Sequence, residues 1–210
     1  MSILVLAKGF TITLSMIMPI GTQNSMLLNQ GINKNHHKMT AALFVLYDAL
    51  LISLGVLGGS ILLSSNDILF NLLTWGGIAF LTGYGLLSLR SAFKNSANEE
   101  NTVLKKKSAK IILLTTLAVT FLNPHAYIDT VMVIGSVGGQ YSGEAKVYFL
   151  IGAVLGSFVW FSCLALGAAK LSTQLSKPKV KKTIDVLIAL VMWIVAWSLF
   201  NSWMASQSLS

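Results

Sequence analysis

At 210 residues, 54% hydrophobic and only 10% charged, with a mean hydropathy of +0.72, the chain lies far from soluble domains, which carry about 25% charged residues. Its net charge of +8 does not point to nucleic acid, because the basic residues are confined to the connections between apolar runs. The one cysteine, Cys163, lies inside an apolar run with no CxxC, which argues against a disulfide relay or a zinc site; it reads as a small buried apolar residue.

Six apolar runs are long enough to cross a bilayer: 9–28, 39–63, 68–89, 111–134, 147–169 and 184–204. Each reaches the roughly 20 residues that a spanning helix needs, and none alternates polar with apolar as a barrel strand does. The first run has no basic stretch ahead of its apolar core and Lys8 as its only early charge, so it is expected to be a span and not a cleaved signal. Between spans one and two come Lys34, His36, His37 and Lys38. The two histidines read as a solvated turn, with metal binding or pH sensing as the sharper alternative. Residues 94–110, between spans three and four, hold Glu99, Glu100 and three consecutive lysines. They read as a solvated basic linker that enforces topology, or else as a regulatory or anionic-lipid site.

Thirteen of the fifteen Lys and Arg residues fall in the connections after spans one, three and five, leaving Lys8 and Lys146 on the other side. The positive-inside rule therefore places those three connections in the cytoplasm and both termini outside.

The linker divides the chain into a first three-span repeat (1–93) and a second (111–210). Each half opens with a span interrupted by proline: Pro19-Ile20-Gly21-Thr22-Gln23-Asn24 and Asn123-Pro124-His125-Ala126-Tyr127-Ile128-Asp129. The prolines are 105 residues apart, half the chain, and a polar residue follows each at the fifth place, Asn24 and Asp129. Three spans per half turn the second half upside down. The expected fold is thus all-α and integral to the membrane, with six transmembrane helices in two inverted repeats, a plan in which broken helices near the midplane build a substrate site. Proline removes a donor and blocks the carbonyl four residues earlier, and Gly21 is expected to loosen the first break further. A simple kink in a packed helix is the plainer reading of one such proline; two at matched positions favour a site.

Asp48 and Asp129 lie inside spans, where a carboxylate costs about 2.5–3.5 kcal/mol. No Lys or Arg lies mid-span, which disfavours a structural ion pair there. Asp129 and His125 are four apart and share a helix face, so His125 either exchanges a proton with the acid or donates to a carbonyl. Gln23 and Asn24 offer amides to a ligand, and Asn123 is placed to brace the second break. Asp48 sits among Phe44, Val45, Leu51 and Ile52, so its polar partner must come from another span. Desolvation disfavours its charge and a cationic ligand favours it, an opposition suited to exchange. Gly55 with Gly59, and Gly152 with Gly156, form GxxxG pairs for close packing in a bundle or a homodimer. Trp75, Trp193 and Trp203 suit the interfaces, while Trp160 falls mid-span and is expected to pack inside.

At these residues the chain resembles the lysine/arginine exporter (LysE) family of bacterial amino-acid exporters. Pro19-Ile-Gly-Thr-Gln-Asn24 leading to Gln30-Gly31 is similar to the family's P-x-G-P-Q-N…Q-G opening. Asp48-Ala-Leu-Leu-Ile52 is similar to its C-D-x-L-L-I span, and Leu122-Asn-Pro-His-Ala-Tyr-Ile-Asp-Thr130 to L-N-P-H-x-Y-x-D-T. Thr22 stands where the family has a second proline, and Tyr47 where it has cysteine. Tyr47 puts a bulky phenol beside Asp48 and is expected to alter the pocket.

The resemblance implies a secondary transporter in the inner membrane that exports L-lysine or L-arginine. Moving one positive charge outward against 100 mV costs about 2.3 kcal/mol, and no GxxxxGK[ST] is present, so antiport with protons or another cation is the natural coupling. Asp48 and Asp129 would alternate between proton and substrate cation. No cofactor or metal is expected, and membrane lipid is the expected surrounding. Rival readings are export of a neutral amino acid or other small metabolite, a passive pore, and a membrane enzyme, the last disfavoured by the absence of HExxH and GxSxG. The orientation is directly testable. A reporter that works only outside the cytoplasm, fused after Ser210, is expected to be active, whereas activity solely from a cytoplasmic reporter contradicts it.

Overall fold

The computed structural model describes residues 2–19, 21–59, 67–94, 107–123 and 126–207; Pro124, His125 and most of the expected linker (95–106) lie outside these. The described residues form helices and turns, with no strand. Helix α1 (Ser2–Ile17) stops just before Pro19, and α2 (Thr22–Ile32) restarts at an axis bent by 79°. Proline cannot donate to the preceding turn, so the helix ends there. Gly21, the residue before α2, has an extended backbone, and a Cβ on it would meet only the Pro19 carbonyl at 4.0 Å. The break therefore rests on the proline and its hydrogen-bond partners, not on glycine's special freedom.

Helix α3 (His37–Leu54) runs into a π-helical turn, Gly55–Gly59. Helix α4 spans Asp67–Lys94. Helix α5 (Ala109–Phe121) starts on Ser108, whose hydroxyl accepts from the Ile111 amide, and ends just ahead of Pro124. A residue before proline is disfavoured in the helical region. After the second break a π-helical segment, Tyr127–Ile134, leads into α6 (Gly135–Gly139). Helix α7 covers Gly143–Lys170, α8 Ser172–Leu175 and α9 Pro178–Gln207. Pro178 opens α9 at the one helical position where its missing N–H has no cost.

Three described helices are long and apolar enough to cross a membrane: His37–Leu57, Gly143–Lys170 and Pro178–Asn201. The bent α1–α2 pair meets the same measure as one interrupted span. Their outer faces agree. Leu46, Leu50 and Leu54 of α3 and Leu57 of the π-helical turn after it form an exposed stripe, away from the buried Phe44, Leu51 and Ile52. Such a stripe is stable in lipid and would be a liability in water.

Helix α7 is the centre of packing for α1, α2 and α3, while α4 pairs with α9. Small residues permit the first set of contacts. A Cβ on Gly152 would lie 2.0 Å from the Leu6 carbonyl oxygen, and one on Gly9 2.3 Å from that of Phe149. The Gly152–Gly156 pair is thus filled by α1 of the same chain, which leaves that face no room for a second copy. Gly55 meets the second broken segment: an added Cβ there would lie 2.6 Å from the Val131 oxygen, and one on Gly135 2.7 Å from Gly55. The two π-helical segments therefore cross backbone to backbone.

Cys163 is exposed on α7, not buried as its apolar context suggested; it lies two residues from the buried Phe161 and Ala165, on the outward side of the helix. Trp203 donates to Asn71 at 2.6 Å and packs edge-on against Trp75. The close packing makes a measurable claim. Gly152→Ala is expected to lower stability by about 1–3 kcal/mol, the usual cost of overpacking, whereas Gly167→Ala, with nothing within 4 Å of the new methyl, leaves it unchanged. Thermal unfolding in detergent compares the two.

Candidate functional site

Each break frees backbone carbonyls, and each recruits a side chain from its far side to bind them. At the first, Asn24 Nδ2 donates to the Ile17 oxygen at 2.6 Å and to the Pro19 oxygen at 2.7 Å. Trp160 of α7 donates its indole N–H to Asn24 Oδ1 at 2.9 Å, which holds the amide in that orientation. At the second, the Tyr127 hydroxyl donates to the Phe121 oxygen at 2.9 Å. Thr130 donates to the Ala126 oxygen. A buried carbonyl left without a donor is costly, so these bonds are a condition of the breaks existing in an apolar setting.

The two breaks meet. Asn123 Nδ2 donates to Thr22 Oγ1 at 3.1 Å, a buried bond between residues 101 apart. Gln23 Nε2 donates to Thr120 Oγ1 at 3.0 Å. Between them lies a cavity of about 280 Å³ whose wall includes Pro19, Gln23, Asn123, Asp129 and Thr130. Asp129 is half-buried on that wall.

Asp48 is 1% exposed. Ser157 of α7 donates to its Oδ2 at 2.8 Å, and the Gln23 side chain also hydrogen-bonds it. The polar partner required from another span is thus present twice, once from α7 and once from the broken first segment. Gln23 is the hinge of this arrangement, since it reaches both Asp48 and the cavity.

The structure brings together Pro19, Gly21, Gln23, Asn24, Asn123 and Asp129 on one cavity, with Asp48 one hydrogen bond behind it. Two placements differ from expectation. Both donors of the Asn24 amide serve the break and its oxygen accepts from Trp160, so the residue braces the site while still lining the cavity. Tyr47 packs edge-on to Phe121 at 5.3 Å within an apolar cluster that includes Phe44 and Phe161, away from the cavity wall. Thr22, where the resemblance expects proline, supplies the acceptor that ties the breaks together. Pro124 and His125 fall outside the described residues.

Sequence reasoning missed Ser157, Thr120, Tyr127 and the bracing role of Trp160. Ser157 had a signal: it adjoins Gly156 in a stripe of small residues, where a hydroxyl is the only polar group offered to a neighbouring helix.

Comparison with known proteins gives a consistent result. The profile of the LysE type translocator family matches residues 14–202. The chain is 44% identical over 192 residues to the arginine exporter protein ArgO of Salmonella enteritidis PT4, covering 91% of each chain. It is 43% identical over the same length to the arginine exporter protein ArgO of Salmonella typhimurium (strain LT2), again covering 91% of each. No solved structure matches.

The bracing bonds predict a stability effect without any ligand. Asn24→Ala leaves two carbonyls without their donor, and Tyr127→Phe leaves one. Each orphaned group is expected to cost about 1–3 kcal/mol, so Asn24→Ala should lower the unfolding midpoint in detergent more than Tyr127→Phe does.

Proposed function

This chain belongs to the LysE type translocator family, and we propose on that footing that it exports basic amino acids, L-arginine or L-lysine, across the bacterial inner membrane in exchange for protons or another cation. It is a multi-pass membrane protein, and its work is transport, not chemistry. The observation that carries the reading is the cavity where two broken segments meet, with one acid on its wall and a second bonded to that wall through Gln23. Support for a basic cargo comes from those two acids and from the relatives named as arginine exporters.

In this mechanism the cargo's side-chain cation sits against Asp129 and draws on Asp48. The α-carboxylate meets Gln23 and the first-turn amides of α2, whose N-terminus carries the positive end of the helix dipole. Ser157 and Gln23 keep Asp48 hydrogen-bonded when the cargo leaves. Protonation then neutralises an acid that cannot stay charged in an apolar core without a partner. The full architecture would be six crossings in two inverted halves, with residues 95–106 in the cytoplasmic linker and both termini outside. Arrival of cargo at one break and departure at the other would follow from rocking of the halves about the Thr22–Asn123 contact.

Efflux of labelled arginine and lysine from loaded cells tests the proposal. Asp48→Asn and Asp129→Asn are each expected to slow efflux at least about tenfold, the equivalent of losing one hydrogen bond to a charged group. Collapse of the proton gradient should slow the unaltered protein. Normal export by both variants sinks the mechanism, and competition by neutral amino acids in place of basic ones reassigns the cargo.

A further inference from the structure

A second cavity, of about 490 Å³, lies at the end of the molecule where the basic connections gather. Its wall takes Asn33 and Asn35 from the connection after α2, Lys107 from the segment before α5, and Lys181 from the first turn of α9. Ser88 and Ser91 of α4 add hydroxyls. The site described above uses none of these residues.

The chemistry of this wall is specific. Two lysines line the cavity, Lys181 being 9% exposed and near enough to Asp185 to act on its charge. Lys107 sits with its Nζ 6.0 Å from the centre of the Tyr84 ring, which keeps that charge against the wall. Asn33 and Asn35 present the opposite need. The side-chain oxygen of each is buried with no hydrogen-bond partner, and Asn35 is only 5% exposed. For Asn33 the orientation is set by its Nδ2, which donates to the Asn29 carbonyl at 2.8 Å. Just behind Lys181, the buried Asp185 accepts from Ser91 at 3.0 Å.

A buried oxygen without a donor is a cost that a ligand can remove. A phosphate or a lipid phosphodiester would satisfy the lysines, but the diester has no donor for the amide oxygens and hydrogen phosphate has a single hydroxyl for the two of them. A group that carries a carboxylate and an ammonium one carbon apart would satisfy both sets. We propose that this cavity is an entrance site that binds the zwitterionic head of an α-amino acid, with Lys107 and Lys181 on the carboxylate and the Asn33 and Asn35 oxygens on the ammonium. The inference rests on the reading above that the cargo is an amino acid. The position fits. Gln30 lines this cavity and Gln23 the midplane one, seven residues apart on the same face of α2 and about 10 Å along its axis. Helix α5 links them too, through Thr115 at the entrance and Thr120 bonded to Gln23.

The test is calorimetric titration of the full-length protein in detergent, in a background where Asp48→Asn and Asp129→Asn disable the midplane acids. L-arginine, L-leucine, agmatine and inorganic phosphate serve as probes. Arginine and leucine are expected to bind, while agmatine, which has no carboxylate, and phosphate do not. Lys107→Glu should weaken amino-acid binding at least about tenfold. Lys107 is exposed, so the change spares the core, and an unaltered melting curve verifies that. In the protein with its acids intact, Lys107→Glu should raise the half-saturating arginine concentration for efflux and leave the maximal rate unchanged. The proposal is overturned by absence of arginine and leucine binding, by agmatine binding as well as arginine, by phosphate competing for the cavity, or by indifference to Lys107→Glu. Leucine binding in the acid-free background does not depend on which amino acid is exported. Failure of the export reading therefore appears in the efflux assay and not in this titration.

Discussion

The structure turns on the need to satisfy the carbonyls left open where two helices break off inside an apolar bundle. Apolar surroundings offer such groups few donors, and protein side chains supply them. Asn24 does so at the first break and Tyr127 at the second, each reaching back across the interruption to the helix it follows. Once these donors are in place, the chain can afford open backbone at the centre of the fold. The cavity between the breaks exists because of that solution. Trp160 extends it to α7, so the central helix of the packing is also a brace for the site.

The two span acids are held by different logics. Asp129 belongs to the second broken segment and lies on the cavity wall. Asp48 comes from an uninterrupted helix and is enclosed, with Ser157 and Gln23 as its donors. A buried carboxyl with neutral donors can exist charged or protonated without rearranging its neighbours, because hydroxyl and amide groups serve either form. A lysine partner would have locked it charged. Gln23 bonds the enclosed acid and also lines the cavity on whose wall Asp129 lies, so the two acids border one polar region.

Close helix approach is the second requirement, and glycine meets it. Gly9 and Gly152 let α1 lie against α7, and Gly55 and Gly135 let the two π-helical segments cross. These contacts fix the first half on the second at a few backbone-to-backbone points. The Thr22–Asn123 bond adds one polar tie between the breaks themselves. A proline at that place would offer no hydroxyl to accept, so the tie depends on Thr22.

Much of this was legible in the residues. Long apolar runs, prolines 105 apart and acids in forbidden places together state a membrane bundle with a polar centre, since each is a local property with a large energetic consequence in lipid. The sequence also supplied the candidates that line the cavity, because amides and acids are rare in such a chain. It was silent on pairing. That Ser157 answers Asp48 across 109 residues, that Asn24 turns its amide donors to the broken backbone, and that Asp185 is buried behind Lys181 are outcomes of helix approach and rotation. A one-dimensional pattern tells which faces of a helix are polar. Only packing in three dimensions decides which polar face meets which, because partners on separate helices have no fixed spacing along the chain.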